Sequence, residues 1–364
     1  MSEIETRPNP MWGTGPMNDT TQPLSPVPIA VAEHKPAERA RRALRRIVHH
    51  EEFGITAVLL ALVLLIGVFH PNSLSREALI STALAASIVA LIAYGMVFLI
   101  AMTEIDLSVG SIFGFSALVS AELMAHGMSP WLALVTGPLT GIALEAANGF
   151  VANTFRIPVI IVTLGTLTLY AGLATVITNS QAVTGLPLNS SFFKVLGGNV
   201  LGIPFSVWVV VVVGVLLTVV FRRTPFGARV RAIGSNATAA RFSGIRVGRT
   251  RLQALMLVGA LCGLAAVLSL AYQEGADPTL GQGLELQVIA ATIIGGTAVT
   301  GGAGTVPGAL IGALIIATIN GGLVYFSIGP SWSGVVTGAT VVIAVSADGV
   351  LRRRRAARLA RAGA

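Results

Sequence analysis

Lysine occurs only twice in this chain, at Lys35 and Lys194, and cysteine once, at Cys262. A phosphate-cradling loop needs glycines leading into Gly-Lys-Ser/Thr. His34 and Phe193 precede the two lysines, so no P-loop is present and the chain is not a P-loop ATPase. The glycine-rich run 295–304 lacks the lysine as well and is rejected as a phosphate site. A single cysteine inside an apolar run excludes a disulfide framework and a cysteine-rich metal site. The five histidines (His34, His49, His50, His70, His126) form no H-E-x-x-H pair, so no metal centre is expected. No Gly-x-Ser-x-Gly elbow appears, which leaves a membrane enzyme without a catalytic constellation. The first 40 residues have no apolar run, so no cleavable signal peptide is expected.

Charge is also scarce. Asp, Glu, Lys and Arg make up 11% of the 364 residues, against about 25% in soluble domains. Hydrophobic residues make up 54% and the mean hydropathy is +0.80. The chain therefore reads as an all-α integral membrane protein. Ten apolar runs are long enough to approach the ~30 Å of a hydrocarbon core: roughly 53–69, 79–102, 107–126, 131–152, 157–178, 204–221, 252–272, 284–300, 305–326 and 330–348. The eighth is short and reads as a broken span. The net charge of +8 comes from arginines beside apolar runs, which points to positive-inside topology rather than to nucleic acid. Loop 222–251 carries eight arginines, and the C-terminus reads "LRRRRAARLARAGA". Six spans before that loop and four after it put the loop and both termini on one side, expected to be cytoplasmic, at the inner membrane of a bacterial cell.

The domain plan follows from composition. Residues 1–37 are polar and proline-rich and are expected to form a disordered cytoplasmic tail. Residues 38–52 form a basic segment along the membrane surface, 53–350 the transmembrane domain with its cytoplasmic loop 222–251, and 351–364 a basic tail.

Polar residues inside or beside the spans are the candidates for function, because charge there is costly. "MTEIDLSVGS", Met102–Ser111, places Asp106 between the second and third spans. As a helix N-cap its oxygens accept backbone N–H bonds, with Ser108 sharing the work; the competing role is a hydrogen-bond acceptor in a solute path. A position near the inner ends of the spans favours the cap. Glu145 lies in an apolar run with Asn148 and Asn153 nearby, while Glu122 is about a turn from an outer end. Thr163, Thr166 and Thr168 can bond a solute, although threonine more often bonds its own helix. The stretch "IIGGTAVTGGAGTVPGALIGAL", 293–314, is too glycine-dense for packing alone. Its glycine pairs and Pro307 predict interrupted helices, tolerated only where backbone is protein-buried or lines a cavity. Gly295, Gly296 and Thr297 join Glu145, Asn148, Thr163 and Thr166 as candidate path residues.

Four stretches in order resemble the permease subunit of bacterial ABC importers of the ribose/xylose/galactose type: "IDLSVGS" (105–111), "IPVIIVTLGTLTLYAGLA" (157–174), "FGARVRAIGSNATAARFSGIRVGRTRL" (226–252) and "LELQVIAATIIGGTAVTGGAGTVPGALIGALI" (284–315). The likeness runs from about residue 50 to the end. Thr103 and Glu104 stand where the family usually has glycine before its Ile-Asp pair, and Ala171 and Ala303 stand where it often has arginine. The resemblance implies a homodimer that passes a monosaccharide or similar polar solute. A separate cytoplasmic ATPase would hold ATP and Mg, with no cofactor on this chain, and an extracytoplasmic binding protein would deliver the sugar. It further implies that 239–245 docks in the ATPase. Gly234 and Gly244 would break the chain on either side, Asn236 would cap the helix, Ala239 and Ala240 would give a small-residue face, and Arg241 would reach an acidic rim. The alternative function is an ion-coupled secondary transporter that uses Glu145 or Asp106 as the coupling acid.

Overall fold

The computed structural model describes residues 51–343 and 346. The tail 1–37, all but two residues of the basic segment 38–52, and the tail 351–364 lie outside the described residues. By its contacts the chain divides into 1–46 and 47–364, and everything described belongs to the second unit.

Helix dominates: α1 (Glu51–Phe69), α2 (Arg76–Ile100), α3 (Val109–Ala125), α4 (Ala133–Phe155), α5 (Val159–Ile177), α6 (Ser191–Leu196), α7 (Phe205–Arg223), α8 (Pro225–Ser235), α9 (Ala237–Phe242), α10 (Val247–Gln273), α11 (Leu284–Ile294), α12 (Val306–Tyr325) and α13 (Ser333–Ile343). The only paired strands among the described residues are β1 (Asn199–Val200) and β2 (Ile203–Pro204). Leu201 and Gly202 turn between them, both at positive φ, the geometry that suits a two-residue hairpin.

Each of the ten apolar runs contains one helix. Six of them, α1, α2, α5, α7, α10 and α12, are long and apolar enough to cross a membrane. The helices α3, α11 and α13 are shorter, and α4 has 23 residues but carries Thr, Asn and Glu145 among its apolar ones. The chain starts its helices with recognisable chemistry. Ser75 Oγ accepts from Ala78 N at the head of α2, and Thr224 does the same for Gly227 N ahead of Pro225 in α8. Thr305 Oγ1 accepts from Gly308 N at the head of α12. Pro307, read from sequence as part of an interruption, sits in the first turn of α12, where its missing N–H costs nothing. The interruption itself is real: α11 ends at Ile294, Gly296 takes φ +92°, and helix resumes only at Val306.

The helices α2 and α10 are the most enclosed, whereas α1, α5 and α7 leave most of their apolar surface outside the chain, as lipid-facing helices do. Glycine sets the closest crossing. Gly137 and Gly141 of α4 meet Gly263 and Gly259 of α10, and a Cβ added at Gly141 would stand 2.0 Å from the Gly259 oxygen. As one number rises the other falls, so the two helices run antiparallel. This is the small-residue approach that packs helices in lipid.

Candidate functional site

At the head of α3 the chain assembles a buried polar cluster. Asp106, Ser108, Glu145, Asn148, Thr163 and Tyr170 are all buried. Asp106 Oδ1 accepts from the Ser108 backbone N–H at 2.8 Å and from its hydroxyl at 2.7 Å. The Asn148 amide donates to Ser108 Oγ at 3.0 Å and to Glu145 Oε2 at 3.3 Å. The Tyr170 hydroxyl lies 3.0 Å from Asn148 Oδ1 and 3.1 Å from the Leu144 carbonyl oxygen. Thr163 Oγ1 accepts from Leu107 N at 3.1 Å, so α5 holds the same turn. The Glu145 carboxyl meets that of Asp106, while Asp106 Oδ2 and Glu145 Oε1 find no other partner. The cluster ties three helices to one turn.

Its depth differs from the expectation. Asn148, opposite Ser108, lies seven residues before the end of α4, about 10 Å along the axis at ~1.5 Å per residue. The helix α3 thus begins well inside the level where α4 ends, and 101–108 fills the gap without helix. Its bonds to Ser108 are those a cap makes, yet the helix starts three residues later, at Val109. Asp106 steers the chain into α3 from within the protein, not at its rim.

The other candidates separate into two groups. Thr166 donates to the Thr163 carbonyl of its own helix. Gly295 packs on Gly308 and Ala309, and buried Thr297 has an unpartnered hydroxyl. These last residues belong to the break between α11 and α12, not to the Asp106 cluster. Glu122 is partly exposed, 3.7 Å from His126.

A family model described as branched-chain amino acid transport system / permease component matches residues 78–345. The ribose import permease protein RbsC of Bacillus subtilis (strain 168) is 37% identical over 298 residues, 82% of this chain and 92% of that protein. The L-arabinose ABC transporter permease protein AraH of Azospirillum brasilense is 32% identical over 341 residues, 94% and 99%. The D-allose transport system permease protein AlsC of Escherichia coli (strain K12) is 34% identical over 305 residues, 83% and 93%. No solved structure matches. The chain belongs to this permease family. It is a multi-pass protein of the cell membrane.

In this permease the arginine-rich loop folds into α8 and α9. Asn236 Oδ1 accepts from Ala239 N at 2.9 Å at the head of α9, and Gly244 turns the chain at φ +82°. Two readings of the loop need correction. Gly234 is no break, because it lies inside α8, where an added Cβ would meet the Ala101 oxygen and the Gly302 nitrogen. Glycine is there for close approach. Ala240 is not on an outward face either: it is 5% exposed, and the outward side chains of α9 include Ala239, Arg241 and Phe242, the last 89% exposed. Sequence reasoning also passed over Tyr170, which lay inside the quoted second stretch. It missed the ion pair of Glu104 with Arg251, whose guanidinium also donates to Asn153 Oδ1 at 3.3 Å. The signal was present there: Glu104 departs from the family's glycine, and an acid beside a membrane needs a partner.

Proposed function

We propose that this chain is the transmembrane subunit of an ATP-driven importer and forms the path for a monosaccharide or a similar polar solute. The observation that carries the reading is the likeness, over four-fifths or more of the chain, to a ribose import permease, an L-arabinose ABC transporter permease and a D-allose transport system permease. The missing P-loop agrees with it, since hydrolysis then belongs to a cytoplasmic partner that holds ATP and Mg. The names of the relatives lend the ion-coupled alternative no support. In the fuller reading the ten apolar runs are ten spans, the eighth broken after α11, and both termini face the cytoplasm. Two copies pair, because nucleotide sandwiches need two ATPase domains and each permease offers one coupling loop. An extracytoplasmic binding protein delivers the solute to the opposite side.

The test is uptake of labelled ribose, arabinose and allose, with the binding protein outside, into vesicles that hold the permease with and without its ATPase. Uptake is expected only with ATPase and internal ATP, to survive collapse of the proton gradient, and to come from complexes whose mass fits two permease copies. Uptake without the ATPase overturns the reading.

A further inference from the structure

One cavity of about 220 Å³ lies between α3, α5 and the segment that leads into α11. Its polar lining is Ser111, Thr168, Gln282 and Glu285, and Phe115 supplies an aromatic wall. We propose that this cavity is a contact site for a neutral polyhydroxyl solute in the path, with Glu285 as its principal hydrogen-bond acceptor. The proposal deepens the importer reading and rests on it.

The hydrogen-bond inventory sets the ligand class. Ser111 Oγ already donates to the Ser108 carbonyl at 2.9 Å, and Thr168 Oγ1 to the Gly165 carbonyl at 2.9 Å. A hydroxyl has one proton, so both oxygens are left to accept. The Glu285 carboxyl interacts with the backbone N–H groups of Gly283 and Glu285, its Oε2 is buried without a hydrogen-bond partner, and the side chain lines the cavity, which leaves it as an acceptor there. Gln282 is exposed at the rim and is the one side chain there with amide donors. The cavity is rich in acceptors and so calls for a ligand rich in donors, which is what a ring of hydroxyls provides. Phe115 can cover the apolar face of such a ring.

Charge narrows the class further. The lining has one carboxyl and no lysine, arginine or histidine. The ammonium of a zwitterionic amino acid could pair with Glu285, so charge leaves that class to the experiment, but a sugar phosphate or a sugar acid would bring a second negative group beside Glu285 with nothing to offset it. Like charges at close range disfavour such a ligand. The family model's description mentions branched-chain amino acids, so leucine is the informative competitor.

Glycine shapes the site. A Cβ at Gly110 would lie 2.4 Å from Glu285 Oε2 and 2.4 Å from the Gly281 oxygen. The Glu285 carboxyl therefore rests on bare backbone of "IDLSVGS", four residues after Asp106. Gly283 has open space where a side chain would go, at the mouth of the cavity.

The experiment uses the complete importer with its ATPase and binding protein. Cys262 is the only cysteine and is buried, so Thr168→Cys places one accessible thiol in the cavity. Its modification by a small thiol reagent is expected to slow severalfold in ribose, arabinose or allose, whichever the wild type takes up, and not in leucine. Glu285→Gln, nearly isosteric, is expected to lower uptake of that sugar about tenfold, the factor that ~1.4 kcal/mol represents, while the same amount of ATPase co-purifies. If the wild type takes up sugar but either readout stays unmoved, this site assignment fails and the importer reading stands. If the wild type takes up no sugar, or leucine protects the thiol, both fail.

Discussion

At Glu145 one carboxyl oxygen is held by Asn148 and the other has no donor, and the Asp106 carboxyl lies close by. Glutamine there keeps the size of the side chain and adds an N–H beside the Asp106 carboxyl. Asn148→Ala does the opposite. It removes the only side-chain donor the structure gives Glu145 and leaves buried oxygens unmatched, at a cost of about 1–3 kcal/mol per group. Thermal melting of the purified permease in detergent should therefore show Glu145→Gln at or above the wild type and Asn148→Ala well below it. A Glu145→Gln protein that melts as low as Asn148→Ala would show that the carboxylate itself, not a filled donor count, holds the turn.

The antiparallel crossing of α4 and α10 is decided by four glycines. Gly259→Leu would place its Cβ 2.2 Å from the Gly141 oxygen and 2.9 Å from Glu145 Cγ, and backbone cannot step aside as a side chain can. Overpacking costs typically about 1–3 kcal/mol, so the variant should melt at lower temperature, whereas Gly172→Leu should change little because nothing lies near that position. Equal melting of both would remove the crossing as a constraint. Elements of this kind were half legible in sequence. The spacings 137–141 and 259–263 are visible as small residues four apart, but a spacing does not say which helix it faces. The ten helices followed from apolar runs, and the Asn236 cap followed from side-chain chemistry, since both signals are local. Depth was not legible. Hydropathy placed Asp106 at the end of a span, but only the contacts of Ser108 with Asn148 and of Leu107 with Thr163 show that α3 starts further in. Ala240 failed for a related reason: a small residue suits a docking face and an intramolecular contact equally, and α9 turns it inward.

In the whole molecule, 101–108 joins three places. Gly302 N donates to the Ala101 oxygen at 2.8 Å beside Gly234 of α8, Glu104 pairs with Arg251 at the start of α10, and Asp106 leads to Gly110 under Glu285. Contiguity alone is not coupling, so the end at α8 and α9 needs its own perturbation. Phe242 provides it. Its ring is exposed at the end of a capped helix in a basic loop, the place proposed to meet the ATPase, and burying it in an ATPase groove would contribute about 1.5–3 kcal/mol. Phe242→Ala should leave the melting temperature of the permease alone and weaken capture of the ATPase about tenfold or more. Arg241→Ala should act more mildly, because an exposed ion pair contributes only about 0–1 kcal/mol. Ala240→Trp should behave differently from both, lowering the melting temperature before any partner is added, because its site is inside the fold. A pull-down with wild-type ATPase, run beside melting curves of the three variants, separates these outcomes. If Phe242→Ala captures the ATPase normally yet detaches the loop from lipid vesicles, the exposed ring is a membrane anchor and the docking surface lies elsewhere on α8 and α9.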